Sequence, residues 1–154
     1  MKKLRIYLDT SVIGGCCDKE FEKYSNQLIQ EIEKGAHNIV ISEVVVAEIE
    51  EAPDKVKKIL GKLLDFPNVE VQELSPEMEI LGSQYLESGI VTHKYQEDAL
   101  HIAIATISRV DVLVSWNFKH IVNVKRIHLF NSVNLREGYS MLDIRSPQEV
   151  LDGK

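Results

Sequence analysis

Four short runs rich in β-branched and apolar residues constrain the fold most: "LRIYLD" (4–9), "NIVIS" (38–42), "NVEVQEL" (68–74) and "DVLVSW" (111–116). Each is bounded by a turn or a charged residue and is short enough to be a strand. Between them lie segments of helical period. Phe21, Tyr24, Leu28, Ile29 and Ile32 recur at helical spacing within 18–35, and Gly35 supplies a stop. Ser42 stands where a cap would start a helix over 43–52, and Pro53 ends it. An amphipathic helix is predicted over 54–66. Ser75-Pro76 opens another that stops at Gly89. The segment 95–110 is apolar on most of its surface and predicts a buried helix. After residue 116 the sequence predicts a short helix, a strand near "RIHLF" (126–130) and a tail. In that tail Ser146 and Glu149 have capping-box spacing, with Pro147 at the first helical position. Strands alternating with helices predict an α/β layer fold with a mostly parallel sheet.

A chain of 154 residues suits a single domain. The expected division is a core over about 1–135 and a C-terminal tail over 136–154. With 44% hydrophobic and 27% charged residues, the composition is that of an ordinary globular protein. No apolar run reaches bilayer-spanning length. The apolar start "MKKLRIYLDTS" stops at Asp9, too short for a signal peptide, so a cytoplasmic location and no membrane partner are expected. Cys16 and Cys17 are adjacent, which disfavours a disulfide, and they read as free thiols near a loop rather than as a zinc site. The net charge of −6 argues against a non-specific nucleic-acid coat. It is compatible with an acidic metal site, where the cation restores attraction to phosphate. From Val112 to Arg136 there is no Asp or Glu, yet Lys119, Lys125, Arg126 and Arg136 are present. This local basic segment is either a solvated loop or a phosphate-facing one.

Three acids stand in positions that a purely structural reading strains. Asp9 ends the first strand, where ligands bind in open α/β sheets; the alternative is an Asx cap on the next element. Glu48 borders the apolar face of its helix and needs a partner unless it reaches solvent beside Glu50 and Glu51. Asp98 lies in the first turn of the buried helix, where it also suits the helix dipole, as Glu97 would. Carboxylates brought together repel unless protonated or bridged by a cation, and hard oxygen ligands favour Mg²⁺ or Mn²⁺.

Four motifs in order, "YLDTSVI", "ISEVVVAEIE", "EDALHIAIA" and "LVSWNF", span nearly the whole chain. Together they resemble the PIN-domain nucleases, the group that includes ribonuclease toxins of bacterial and archaeal toxin–antitoxin pairs. The resemblance implies a three-layer α/β/α sandwich with a central, mostly parallel sheet. It implies hydrolysis of single-stranded RNA at an acidic pocket holding one or two Mg²⁺ or Mn²⁺ ions. By position, Asp9, Glu48 and Asp98 match the family's metal ligands. Thr10, Ser11 and Ser115 match supporting hydroxyls; the family often has Thr or Ser at the last of these. Asn117 departs from the pattern, because many relatives carry Asp there. An Asn keeps an oxygen acceptor but brings no charge.

The implied mechanism has Asp9 and Asp98 on the metal, Glu48 binding directly or through water, and Asn117 steering a water or phosphate oxygen. Lys119, Lys125 and Arg126 would guide the RNA backbone. A cognate antitoxin protein that inserts a segment into the pocket, and a homodimer, are further expectations of the resemblance. Trp116 reads as local packing or as a base-stacking platform. His101, three residues after Asp98, is either a partner of the acids or a satisfied core histidine; His93, His120 and His128 form no metal-binding pattern. Two other readings remain: a catalytically weak PIN-like module that binds RNA or a protein, and a phosphatase with Asp9 as nucleophile. The second usually needs another Asp two positions on, where this chain has Ser11.

Overall fold

The computed structural model describes residues 3–152. Its strands are β1 (Arg5–Leu8), β2 (Asn38–Ser42), β3 (Val69–Gln72), β4 (Val112–Val114) and β5 (Asp143–Arg145). They form one parallel sheet in the order β3-β2-β1-β4-β5. Its helices are α1 (Thr10–Gly15), α2 (Glu22–Glu33), α3 (Glu43–Ile49), α4 (Asp54–Leu64), α5 (Pro76–Glu87), α6 (Gln96–Ile107), α7 (Val124–Arg136) and α8 (Pro147–Asp152). From β1 the chain winds outward through β2 to β3, then returns to the other side of β1 for β4 and β5. Right-handed crossovers therefore put α1–α4 on one face and α5–α7 on the other. Packing agrees: α1 meets α2, α3 and α4, whereas α5 meets α6 and α7. The result is the expected three-layer α/β/α sandwich, with the strand order reversing between β1 and β4.

The central strands are apolar because both faces are covered. Ile6, Tyr7 and Leu8 of β1, and Leu113 and Val114 of β4, are fully buried. Stops and caps follow the sequence. Gly35 and Gly89 take left-handed φ values of +79° and +74°. Ser42 accepts from the Val45 amide, and Ser75 from the Met78 amide. The capping box forms too: Ser146 N donates to Glu149 Oε1 at 3.0 Å, and Glu149 N to Ser146 Oγ at 3.2 Å. Among the described residues, no helix is long and apolar enough to cross a membrane.

The C-terminal fifth corrects the sequence reading. Residues 126–130, expected as a strand, lie inside α7, and β5 falls in the segment expected to be a tail. The cause is a pair of buried asparagines at core-facing positions of α7, which hide its apolar period. Asn131 Nδ2 donates to Leu142 O at 3.0 Å, and Leu142 N donates to Asn131 Oδ1 at 2.7 Å, so one side chain pairs with the backbone entering β5. Asn134 accepts from the Tyr85 hydroxyl and donates to Thr106 Oγ1 at 3.3 Å. Helix α1 was not expected either. It begins directly after Asp9 and is too short to show a period.

Candidate active site

The carboxyl ends of β1 and β4, where the strand order reverses, are the place an open parallel sheet offers to a ligand. Asp9 follows β1 and Ser115 follows β4. The Asp9 amide donates to Val114 O at 3.3 Å, which fixes the two residues side by side. Asp9 stands at the N-cap of α1, but its side chain makes no capping bond. The carboxylate turns instead to two hydroxyls. Ser11 Oγ donates to Oδ1 at 2.6 Å and Ser115 Oγ to Oδ2 at 2.5 Å. Burial pushes the Asp9 carboxyl above the usual range, against the pull of the His101 charge and the two serines.

The "SWNF" turn is the wall opposite. Trp116 N donates to Ser11 Oγ at 2.9 Å, and Asn117 N to Ser115 Oγ at 2.9 Å, so the wall is tied to the hydroxyls that hold Asp9. The Trp116 ring is buried, stacks on Phe21 with centroids 4.5 Å apart, and donates from Nε1 to Ser25 Oγ at 2.8 Å. It is a packing residue. The exposed aromatic of this turn is Phe118.

Helix α3 brings Glu48 over the same strand ends. Glu48 Oε1 accepts from Thr10 Oγ1 at 2.9 Å and lies 2.6 Å from His101 Nε2. Burial alone would raise the Glu48 carboxyl, but the His101 hydrogen bond and charge, with Thr10, hold it below its usual range. His101 is fully enclosed on α6. Burial alone would lower its imidazole, yet Glu48, Asp9 and Asp98 together hold it above the ordinary value. Asp98, in the first turn of α6, has Oδ2 3.3 Å from His120 Nδ1 and also meets the Asn117 amide. Its carboxyl is pushed up by burial, despite His101, His120 and Asn117. Asn117 Oδ1 itself accepts from the His120 amide at 2.9 Å.

His101 lies near enough to Asp9, Glu48 and Asp98 to feel the charge of all three. Each acid is held by protein partners. Among the described residues, no three Asp, Glu, His or Cys side chains stand close enough to hold one metal ion as placed. The donor chemistry nevertheless fits a hard cation: oxygen ligands, two of them forced above their usual ionisation range by burial. Of the cations, Lys119 Nζ lies 6.0 Å from the Tyr95 ring and Lys125 is exposed in the first turn of α7. Arg126 is a strut, donating to Lys119 O at 2.9 Å and Ile90 O at 2.7 Å.

Sequence reasoning passed over four contributors. Glu97 meets Glu48, and partial desolvation and the Glu48 charge push its carboxyl up. His120 meets Asp98 and packs on Tyr95, ring centroids 3.8 Å apart. Tyr7 meets His101 Nδ1 at 2.6 Å and Ser42 meets Tyr7 at 2.8 Å, and a buried strand residue gives no sign of that in one sequence. Cys16 and Cys17 are free thiols, as expected; burial, then Cys17, pushes the Cys16 thiol up to about 12, which keeps it protonated.

No family model matches the chain, and no curated protein matches it in sequence. Solved structures do match in shape. The FitAcB structure from Neisseria gonorrhoeae aligns with a TM-score of 0.59 and 14% identity over 93% of this chain and 98% of that one. VapBC2 from Rickettsia felis, bound to a DNA fragment from its promoter, aligns at 0.58 and 16% over 93% and 98%. VapC20 of Mycobacterium tuberculosis, a sarcin-ricin loop cleaving toxin, aligns at 0.55 and 12% over 75% and 92%. The fold is PIN-like. In this fold Asp9 and Ser115 stand side by side at the β1/β4 strand ends.

Proposed function

We propose that the protein is a metal-dependent endoribonuclease acting on single-stranded RNA, the toxin of a toxin–antitoxin pair. What supports this reading is that Asp9, Glu48 and Asp98 all act on His101, with Asp9 at the sheet's switch point. Asp9 and Asp98 would hold Mg²⁺ or Mn²⁺, one ion or two, with Glu48 binding directly or through water. The ion, when bound, supplies an activated water and offsets charge on the phosphoryl group. Ser11 and Ser115 keep both Asp9 oxygens oriented, and Thr10 does so for Glu48. Asn117 offers an uncharged amide beside Asp98 that steers a water or phosphate oxygen. Lys119 and Lys125 lie on the acid-free segment after β4 and attract the RNA backbone, while Arg126 holds the Lys119 backbone in place.

The antitoxin would use the groove between α3 and α6. Val44, Ala47, Leu74 and Leu100 floor it, Glu43, Glu48, Glu51 and Glu97 rim it, and its volume is about 750 Å³. An apolar segment carrying basic residues matches that chemistry and would reach Glu48. A homodimer remains part of the proposal. Asn117 favours a second reading, a PIN-like module that grips RNA or a protein with little catalysis, because the wall lacks the charge of an Asp. Cleavage of end-labelled single-stranded RNA, with Mn²⁺ or Mg²⁺ and with EDTA, separates the two. Metal-dependent cuts support the nuclease; a mobility shift without cuts supports the binding module.

A further inference from the structure

The buried polar groups beneath the pocket form one continuous chain. Tyr7, in β1, is fully buried, and its hydroxyl lies 2.8 Å from Ser42 Oγ and 2.6 Å from His101 Nδ1. Ser42 Oγ already accepts the Val45 amide at 3.3 Å while capping α3. With His101 neutral, its own proton is directed to Tyr7, and the Tyr7 proton to His101 Nδ1. In that state Nε2 carries the hydrogen; in the charged imidazolium Nδ1 donates to Tyr7 instead, and in both states Nε2 donates to Glu48 Oε1 at 2.6 Å. Each hydroxyl gives one proton and the chain closes on a carboxylate. Run the other way, the Ser42 proton has no hydrogen-bond acceptor among the described residues. Ser42, Tyr7 and His101 come from three elements, so sheet, capped helix and buried helix act together on one acid.

Glu48 does not need this chain to be solvated. Its side chain is 27% exposed, and water could satisfy it. An unrestrained Glu at a pocket rim samples many rotamers, and holding it in one costs conformational entropy. Here Thr10 and His101 both bind the same oxygen, Oε1, which fixes the carboxylate's position and rotation. We propose that Ser42, Tyr7 and His101 are positioning residues, a directional hydrogen-bond relay that aims the Glu48 carboxylate into the pocket. The catalytic consequence rests on the nuclease reading above; the relay itself does not.

Nitrogen and carbon NMR of the metal-free protein test the relay without any activity. At a pH where His101 is neutral, the expected result is one His101 tautomer, protonated on Nε2, and a Glu48 carboxyl resonance that moves in Tyr7→Phe. A neutral His101 protonated on Nδ1, a mixture of neutral tautomers, or an unmoved Glu48 signal would overturn it. In the cleavage assay, Tyr7→Phe is expected to lower kcat about tenfold with KM for RNA unchanged. His101→Gln, whose amide still donates toward Glu48, is expected to keep more activity than His101→Leu at equal folded fraction. Equal losses in the two would reduce His101 to a core residue. If the wild-type protein cuts no RNA, the nuclease reading fails, and the NMR result alone decides the relay.

Discussion

Two adjacent glycines in α1 should respond to the same substitution with opposite signs. A Cβ on Gly15 would meet Ser25 Oγ at 2.6 Å, Trp116 Nε1 at 2.9 Å and Trp116 Cδ1 at 3.0 Å; a Cβ on Gly14 meets nothing within 4 Å. Ser25 cannot simply turn away, because its hydroxyl donates to Val12 O at 2.8 Å and accepts from Trp116 Nε1 at 2.8 Å. The indole is pinned in turn by its stack on Phe21. Overpacking of this kind costs about 1–3 kcal/mol, and a disturbed Trp–Ser bond adds about 1 kcal/mol. Removing a glycine from a helix returns about 0.5–1 kcal/mol. Gly15→Ala is therefore expected to lose about 1–3 kcal/mol, a fall in Tm of roughly 2–10 °C for a chain of this size. Gly14→Ala is expected to gain about 0.5–1 kcal/mol, a rise of roughly 1–4 °C. Thermal unfolding followed by fluorescence suits the test, since Trp116 is the chain's one Trp. Gly15→Ala should also shift the native emission, and because Trp116 N donates to Ser11, the disturbance should reach Asp9 and lower cleavage. A Gly15→Ala protein as stable as Gly14→Ala, with unchanged emission, would refute the close approach of α1 to the wall.

Ser115→Ala removes the donor to Asp9 Oδ2 and the acceptor of the Asn117 amide, and should cost about 1–3 kcal/mol, whereas Ser115→Thr should recover most of that in the same melt. Asn117→Asp places a charge beside Asp98, so it should lower Tm in EDTA yet enlarge the rise on adding Mn²⁺; an equal Mn²⁺ response in both proteins would count against a metal near Asp98. The pH dependence has a defined sign. Asp9 and Asp98 sit above the ordinary carboxylate range, so their contribution to stability is full below that range and is lost as pH rises through the raised values, whereas Glu48, held low, acts in the opposite sense. Mn²⁺ competes with those two protons, and the Tm rise it causes should grow with pH across that window; a rise independent of pH would contradict the assignment.

The parts of the fold that could be read in advance are those where one residue type has one structural use. An apolar run closed by Asp9, a serine before a helix, and Gly35 or Gly89 after one are local signals, and the strands, caps and stops they predict are present. Strand β5 gave no such signal, because only Ile144 of its three residues is buried. Helix α7 was hidden by Asn131 and Asn134, whose amides replace apolar packing with hydrogen bonds to residues remote in sequence. The site divides in the same way. Asp9, Glu48 and Asp98 stand out as acids in apolar company, and in the structure each acts on His101. Their supports do not stand out: Tyr7 looks like any strand aromatic, and its contact with His101 spans 94 positions. Trp116 had two uses open to it, and its stack on Phe21 decides for packing.

In the proposed nuclease one acidic pocket both holds the metal and cuts RNA. Cleavage of end-labelled single-stranded RNA by wild type and by Asp9→Asn, in Mn²⁺ and again in EDTA, tests it most directly. Asn keeps the size of Asp9 and an acceptor for one serine, so the variant should fold with a Tm in EDTA no lower than wild type. The account predicts Mn²⁺-dependent fragments from wild type and none from Asp9→Asn. Fragments that persist in the folded variant, or in EDTA, would contradict it.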